Sequence, residues 1–170
     1  MQHLISANIR FLDQAERLLH QLGNSLYATP VESFYGSTVG QHLRHCLDHY
    51  HSFLRGREDA RVDYDFRERS PDLEASVDEA VRVIDEVREQ LQELVETEYP
   101  VGVLVKLDCG GEDEGFQPST AGRELQFLLS HTVHHFAMIV GICKCLEVSL
   151  EEGFGVAPST LRHHKEVSID

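Results

Sequence analysis

Four stretches of this chain repeat their apolar residues at intervals of three and four, and nothing between them alternates strand with helix. A helix that is apolar along one stripe must bury that stripe against another element. Four such helices without a βαβ pattern predict an all-α fold, a four-helix bundle with long crossover connections. The 170 residues suffice for one domain of this kind with its own core, so residues 1–170 are read as a single unit.

The first helix is expected over about residues 4–22, with Leu4, Ile5, Ile9, Leu12, Leu19 and Leu22 on its stripe, and Gly23-Asn24-Ser25 stops it. The connector over about 24–36, with Pro30, Tyr27, Phe34 and Tyr35, reads as packing across an end of the bundle. Thr38-Val39-Gly40-Gln41 has the form of a capping box and opens a second helix that runs to about Leu54. Residues 56–69 are charged and aperiodic, as in a loop. Ser70-Pro71-Asp72 combines a cap, a Pro at the first helical position and an acid in the first turn. A third helix should start there, carry its stripe from Leu73 to Val95, and end before Pro100. The β-branched run 101–107 and the Gly-rich turn 110–115 suggest a small hairpin or extended segment near 101–117. The fourth helix should begin near Ser119 or Thr120 and reach about Leu146, and a short C-terminal helix should follow from Pro158.

Charge narrows the partners. A formal net charge of −14 leaves nothing to neutralise a phosphate backbone, so nucleic acid is excluded, and anionic membrane surfaces with it. No uninterrupted apolar run approaches a spanning helix, and the first residues lack a basic and then apolar leader, so a cytoplasmic location is expected. Cys46, Cys109, Cys143 and Cys145 form no C-x-x-C pair and read as reduced residues of the fold.

The anomaly is histidine. Seven of the eleven fall in two short stretches. On the fourth helix His131 and His135 lie about 40° apart, on the stripe of Leu128, Ile139, Ile142 and Leu146. Such an i, i+4 pair can bind one ion from two directions. No Glu follows His131, so the metalloprotease form of that motif is absent. His134 lies at the edge of the stripe, as a bystander or a group that could move protons. On the second helix His42, His45 and His49 form a stripe flanking the apolar one, and Asp48 lies beside His45. His131, His135 and a histidine of the second helix would supply three neutral imidazoles with an open position, a set suited to zinc, nickel or iron(II). Periodicity alone favours His42 or His49 as the third ligand.

Val39-Gly40-Gln41-His42-Leu43-Arg44-His45-Cys46-Leu47-Asp48 and Leu128-Leu129-Ser130-His131-Thr132-Val133-His134-His135 resemble the DinB/YfiT-like superfamily. The resemblance implies a four-helix bundle and a metal triad taking one His from a His-x-x-Asp context and two from H-x-x-x-H. By motif these are His45, His131 and His135, with His49 as the rival on the second helix. It further implies a small-molecule substrate, a homodimer, and metal-dependent chemistry such as thiol S-transfer with a low-molecular-weight thiol, isomerisation, or hydrolysis. Many members carry Arg-Gly-Gln after the last His, where this chain has Phe136-Ala137-Met138. Two other readings stand beside this one. A hemerythrin-like bundle would pair His45/His49 with His131/His135 around two ions, and a non-enzymatic helical module would merely pack its histidines.

Overall fold

A computed structural model of the chain describes residues 1–66, 69–96, 99–108, 110 and 115–167. Its long helices are α1 (Gln2–Tyr27), α2 (Val39–Arg55), α4 (Val77–Glu96) and α5 (Ala121–Cys145), with short helices α3 (Pro71–Ala75) and α6 (Pro158–Val167). Strands β1 (Arg61–Asp63), β2 (Gly102–Lys106) and β3 (Gln117–Thr120) form one small sheet. The helices close a ring: α1 packs on α4 and α5, and α2 packs on α5 and α4. Their stripes meet in one core containing Ile5, Leu12, Leu19, Leu47, Phe53, Ile84, Leu91, Leu125, Phe136 and Ile142.

Two helix starts follow their sequence signals. Thr38 accepts from Gln41 N at 3.0 Å while Gln41 Oε1 accepts from Thr38 N at 3.3 Å, a complete capping box on α2. Thr120 caps α5 by accepting from Arg123 N. Through the core between them runs a buried polar bridge. Tyr50 OH donates to Asn8 Oδ1 at 2.8 Å and lies 3.2 Å from Thr132 Oγ1, while Asn8 Nδ2 donates to Leu125 O at 3.1 Å. A buried polar group without a partner costs about 1–3 kcal/mol. These bonds therefore oppose any slippage of α2 and α5 past each other, one residue away from His131.

The structure departs from the sequence reading at four places. First, Gly23 breaks the helical path with φ 65° and ψ 165°, but the chain resumes a turn that ends at Tyr27. That turn buries Tyr27, whose hydroxyl donates to Leu73 O at 2.7 Å. Second, Ser70-Pro71 opens only the five-residue α3. Ser76 is extended, and its hydroxyl caps the long α4 by accepting from Glu79 N. The kink is held by distant groups: Val77 N donates to Asn24 Oδ1, and Arg44 Nε donates to Glu74. Third, β1 lies inside the expected 56–69 loop, paired parallel with β2 in the register Arg61↔Leu104 to Asp63↔Lys106. Only Val62 of β1 is buried, so three residues carried no periodic signal. The expected hairpin is β2 with β3, antiparallel, with Pro118 on the edge strand, where a missing N–H costs no ladder bond. Cys109 and residues 111–114 of the expected turn lie outside the described residues.

Fourth, α5 is by length and composition apolar enough to cross a membrane. It holds no uninterrupted apolar run of that length, because His, Ser, Thr and Gln are scattered along it. In the fold α5 is a bundle helix that sends Leu125, Leu128, Phe136, Ile139, Ile142 and Cys143 into the core. Cys46 and Cys143 are buried free thiols and Cys145 is exposed.

Candidate metal centre

The α2–α5 contact places both histidine stripes at one seam. His45, His131 and His135 each offer a ligand atom, and these atoms all lie within 4.8 Å of one another. Ring centroids are 4.9 Å apart for His45–His131, 4.6 Å for His45–His135 and 4.6 Å for His131–His135. All three side chains are half-buried. His131 and His135 sit one position off the deepest line of α5, which runs through Thr132, Phe136 and Ile139. The cluster thus lies at the rim of the core, where both protein nitrogens and solvent can reach an ion.

His42 and His49, favoured by periodicity, flank this group. His49 is buried, its ring 4.6 Å from His45 and 4.2 Å from His131. Its Nδ1 lies 2.8 Å from His45 O. A carbonyl only accepts, so this nitrogen carries the proton. His42 Nδ1 lies 3.0 Å from His135 Nδ1, and His42 Nε2 lies 3.2 Å from Ser37 Oγ. His134 is exposed, with its ring edge-on to His135 at 5.1 Å. Asp48, expected beside His45, is buried and accepts from Arg44 Nη1 at 2.6 Å. Arg44 also reaches Glu74 on α3, so this carboxylate belongs to a pair that ties α2 to α3.

An aromatic and acidic wall was not singled out in the sequence. Tyr64 stacks on His49 at 5.3 Å, and Phe127 stacks on His131 at 5.5 Å. Tyr64 OH donates to the fully buried Glu124 at 2.9 Å, which also accepts from Ser119 and Arg123. Tyr64 lies in the stretch read as a loop. Its position depends on the β1–β2 pairing, because Tyr64 N donates to Lys106 O.

The donor set suits a divalent ion. Burial, and then the charges of His131, His42, His134 and His49, push the His135 pKa down to about 3, so its imidazole is neutral near pH 7. Burial, with His134 second, also lowers that of His42. Ion–nitrogen distances of about 2.1 Å require nitrogens roughly 3–3.5 Å apart. The three ligand atoms, all within 4.8 Å of one another, would have to draw closer to reach that spacing. Three imidazoles with no carboxylate among them suit zinc, nickel or iron(II) better than magnesium or calcium.

Comparison with known proteins gives three findings. The family model described as DinB superfamily matches residues 7–139. A curated protein of Rhizopus delemar, FK506-binding protein 5, is 31% identical over 107 residues, which are 62% of this chain and 28% of that protein. The chain thus spans little more than a quarter of that relative's length. The crystal structure of a DinB-like protein from Bacillus subtilis superposes with a TM-score of 0.52 at 17% identity, covering 87% of this chain and 94% of the other. At that identity the likeness concerns the fold.

Proposed function

The chain belongs to the DinB superfamily, and on that premise we propose that it is a one-ion metalloprotein whose ligands are His45, His131 and His135. The observation that carries the reading is the convergence of three ligand atoms, from two different helices, within 4.8 Å of one another. A divalent ion with an open position supplies a lowered pKa for a water or thiol held on it, which makes a nucleophile near neutral pH. The reaction class is transfer to a low-molecular-weight thiol or hydrolysis, on a small-molecule substrate, with zinc, nickel or iron as the metal. The protein is proposed to work as a cytoplasmic homodimer without nucleic acid or membrane partners.

The chain's own residues would share the remaining work. The exposed His134, beside His135, can take or give a proton at the rim. Phe127 and Tyr64, stacked on His131 and His49, restrict ring motion and keep water to one side. The place where many relatives carry Arg belongs here to Phe136, which is buried and stacks on Phe154 at 4.9 Å. A substrate anion must therefore find its counter-charge elsewhere. The two-ion alternative is disfavoured because the ligand group found among the described residues is a single one, without Asp or Glu to bridge two ions.

Untagged protein reconstituted with zinc, nickel or iron(II) should hold one ion per chain by elemental analysis. Two ions would favour the hemerythrin-like arrangement, and none with any of the three would overturn the proposal. In the cobalt-substituted protein, azide or cysteine should change the visible spectrum; no change with either would mean a closed, structural site.

A further inference from the structure

His42 is not in the ligand group, yet its ring meets one of the three directly: its Nδ1 lies 3.0 Å from His135 Nδ1. The direction of each hydrogen bond in this chain can be worked out from the outer end. Ser37 Oγ lies 2.5 Å from Phe34 O, and since a carbonyl only accepts, the serine proton is committed there. Ser37 therefore meets His42 Nε2 with a lone pair, and His42 Nε2–H is the donor across 3.2 Å. One proton then lies between His42 Nδ1 and His135 Nδ1. A cation held beside His135 would disfavour the arrangement in which His42 holds both protons and a positive charge. His135 Nδ1–H would then be the donor and His42 Nδ1 the acceptor across this contact.

We propose that His42 is a positioning residue which, anchored by Ser37, accepts the Nδ1–H of His135 and so leaves Nε2 of His135 as the ligand atom. This rests on the one-ion reading above. Metal-binding histidines are generally oriented by an acceptor on the other ring nitrogen, and loss of that acceptor weakens metal binding about 10–100-fold. The usual acceptor is a carboxylate or carbonyl; here it is a second imidazole with its tautomer set by a serine.

The anchor is itself referenced to α5. The loop over residues 31–37 closes on a Val31↔Ser37 bridge and contains a 3-10 turn, Glu32–Phe34. Phe34 lies against Gly141, where a Cβ would come within 2.1 Å of the ring. Only glycine leaves room for this seat. Ser37 is thus held relative to the same helix that carries His135, and the loop, which reads from sequence as a plain connector, supports the metal site.

The test compares zinc affinity, by competition with a chelating dye, in the wild type, His42→Asn and His42→Phe. Asn places its Oδ1 near the position of Nδ1 and keeps an acceptor; Phe keeps the ring volume and removes it. The expected order is wild type, then Asn within several-fold, then Phe weaker than wild type by 10–100-fold. A residue that only packs would be replaced better by Phe than by Asn, and Phe binding as well as Asn would overturn the proposal. Long-range nitrogen–proton NMR of the zinc-loaded wild type reads the His135 tautomer without any substitution. A proton on Nδ1 is expected, and one on Nε2 would overturn the proposal even where a variant fails to fold. A wild type that binds no zinc, nickel or iron would instead sink the one-ion reading and this inference with it.

Discussion

His131→Ala, His135→Ala and His45→Ala should each abolish stoichiometric metal binding. Structural zinc sites of four ligands bind with about 10–16 kcal/mol, so one ligand is worth roughly 3 kcal/mol, more than a hundredfold in affinity. The three side chains are half-buried at the rim of the bundle, so truncation should leave the helices formed and the loss readable as metal content. His49→Ala provides the contrast. That ring is buried and bonded to His45 O, so its removal should lower thermal stability while keeping more metal than His45→Ala. If His49→Ala loses the ion and His45→Ala keeps it, the ligand on α2 lies one turn further along.

Acid should remove the ion together with the stability it adds. A ligand imidazole must be bare, and a free one titrates near pH 6.5. The bound ion excludes protons, so the loaded fold has ligand pKa values below those of the unfolded chain. The unfolded chain then binds more protons at low pH. Stability from the ion is fully present above about pH 6.5 and is lost as pH falls below it. At 100–1,000 times its Kd the ion contributes about 3–4 kcal/mol, and that is the amount at stake. His135 makes the loss shallower than three ordinary histidines would. Burial, then His131 and its other neighbours, already hold its pKa at about 3, so near pH 5 it has no proton to release. Calorimetry near pH 5 in buffers of different ionisation enthalpy should find fewer than three protons released per ion; a full three would contradict the depressed His135. Without metal, His135 should still cost stability as pH falls from about 6.5 towards 3, by less than about 1.4 kcal/mol per pH unit because the ring is partly exposed.

What the sequence made legible was whatever is written locally. The capping box at Thr38, the cap at Thr120 and the apolar stripes of the long helices act over three or four residues, and each appears where its pattern stands. What it hid depends on partners far along the chain. β1 exists because Leu104 to Lys106 lie beside it, and the Ser76 break between α3 and α4 is held through Asn24, Tyr27 and Arg44. Periodicity ranked His42 and His49 above His45 because it measures burial. His49 is indeed the most buried of the three, yet the three ligand atoms that lie within 4.8 Å of one another include one from His45, at the flank where α5 meets α2. His45 stands in that cluster by its place in the motif, while the stripe favours its neighbours His42 and His49. Nothing in the run from Pro30 to Ser37 announced that this loop would reach His42.

The parallel pairing of β1 with β2 has a consequence for how the molecule assembles. A parallel pair cannot be closed by a tight turn, and here α3 and α4 lie between the two strands. The helices that carry the three histidines are separated by that same span together with the whole sheet. Joining such distant segments costs loop-closure entropy before any contact repays it, so this end of the molecule should form late on the folding route. An ion that needs the finished triad then has little to bind at the barrier crossing. Zinc should slow unfolding and leave the refolding rate close to that of the ion-free chain, which stopped-flow refolding and unfolding with and without zinc would measure. The metal would act as a latch on a completed fold and not as its seed.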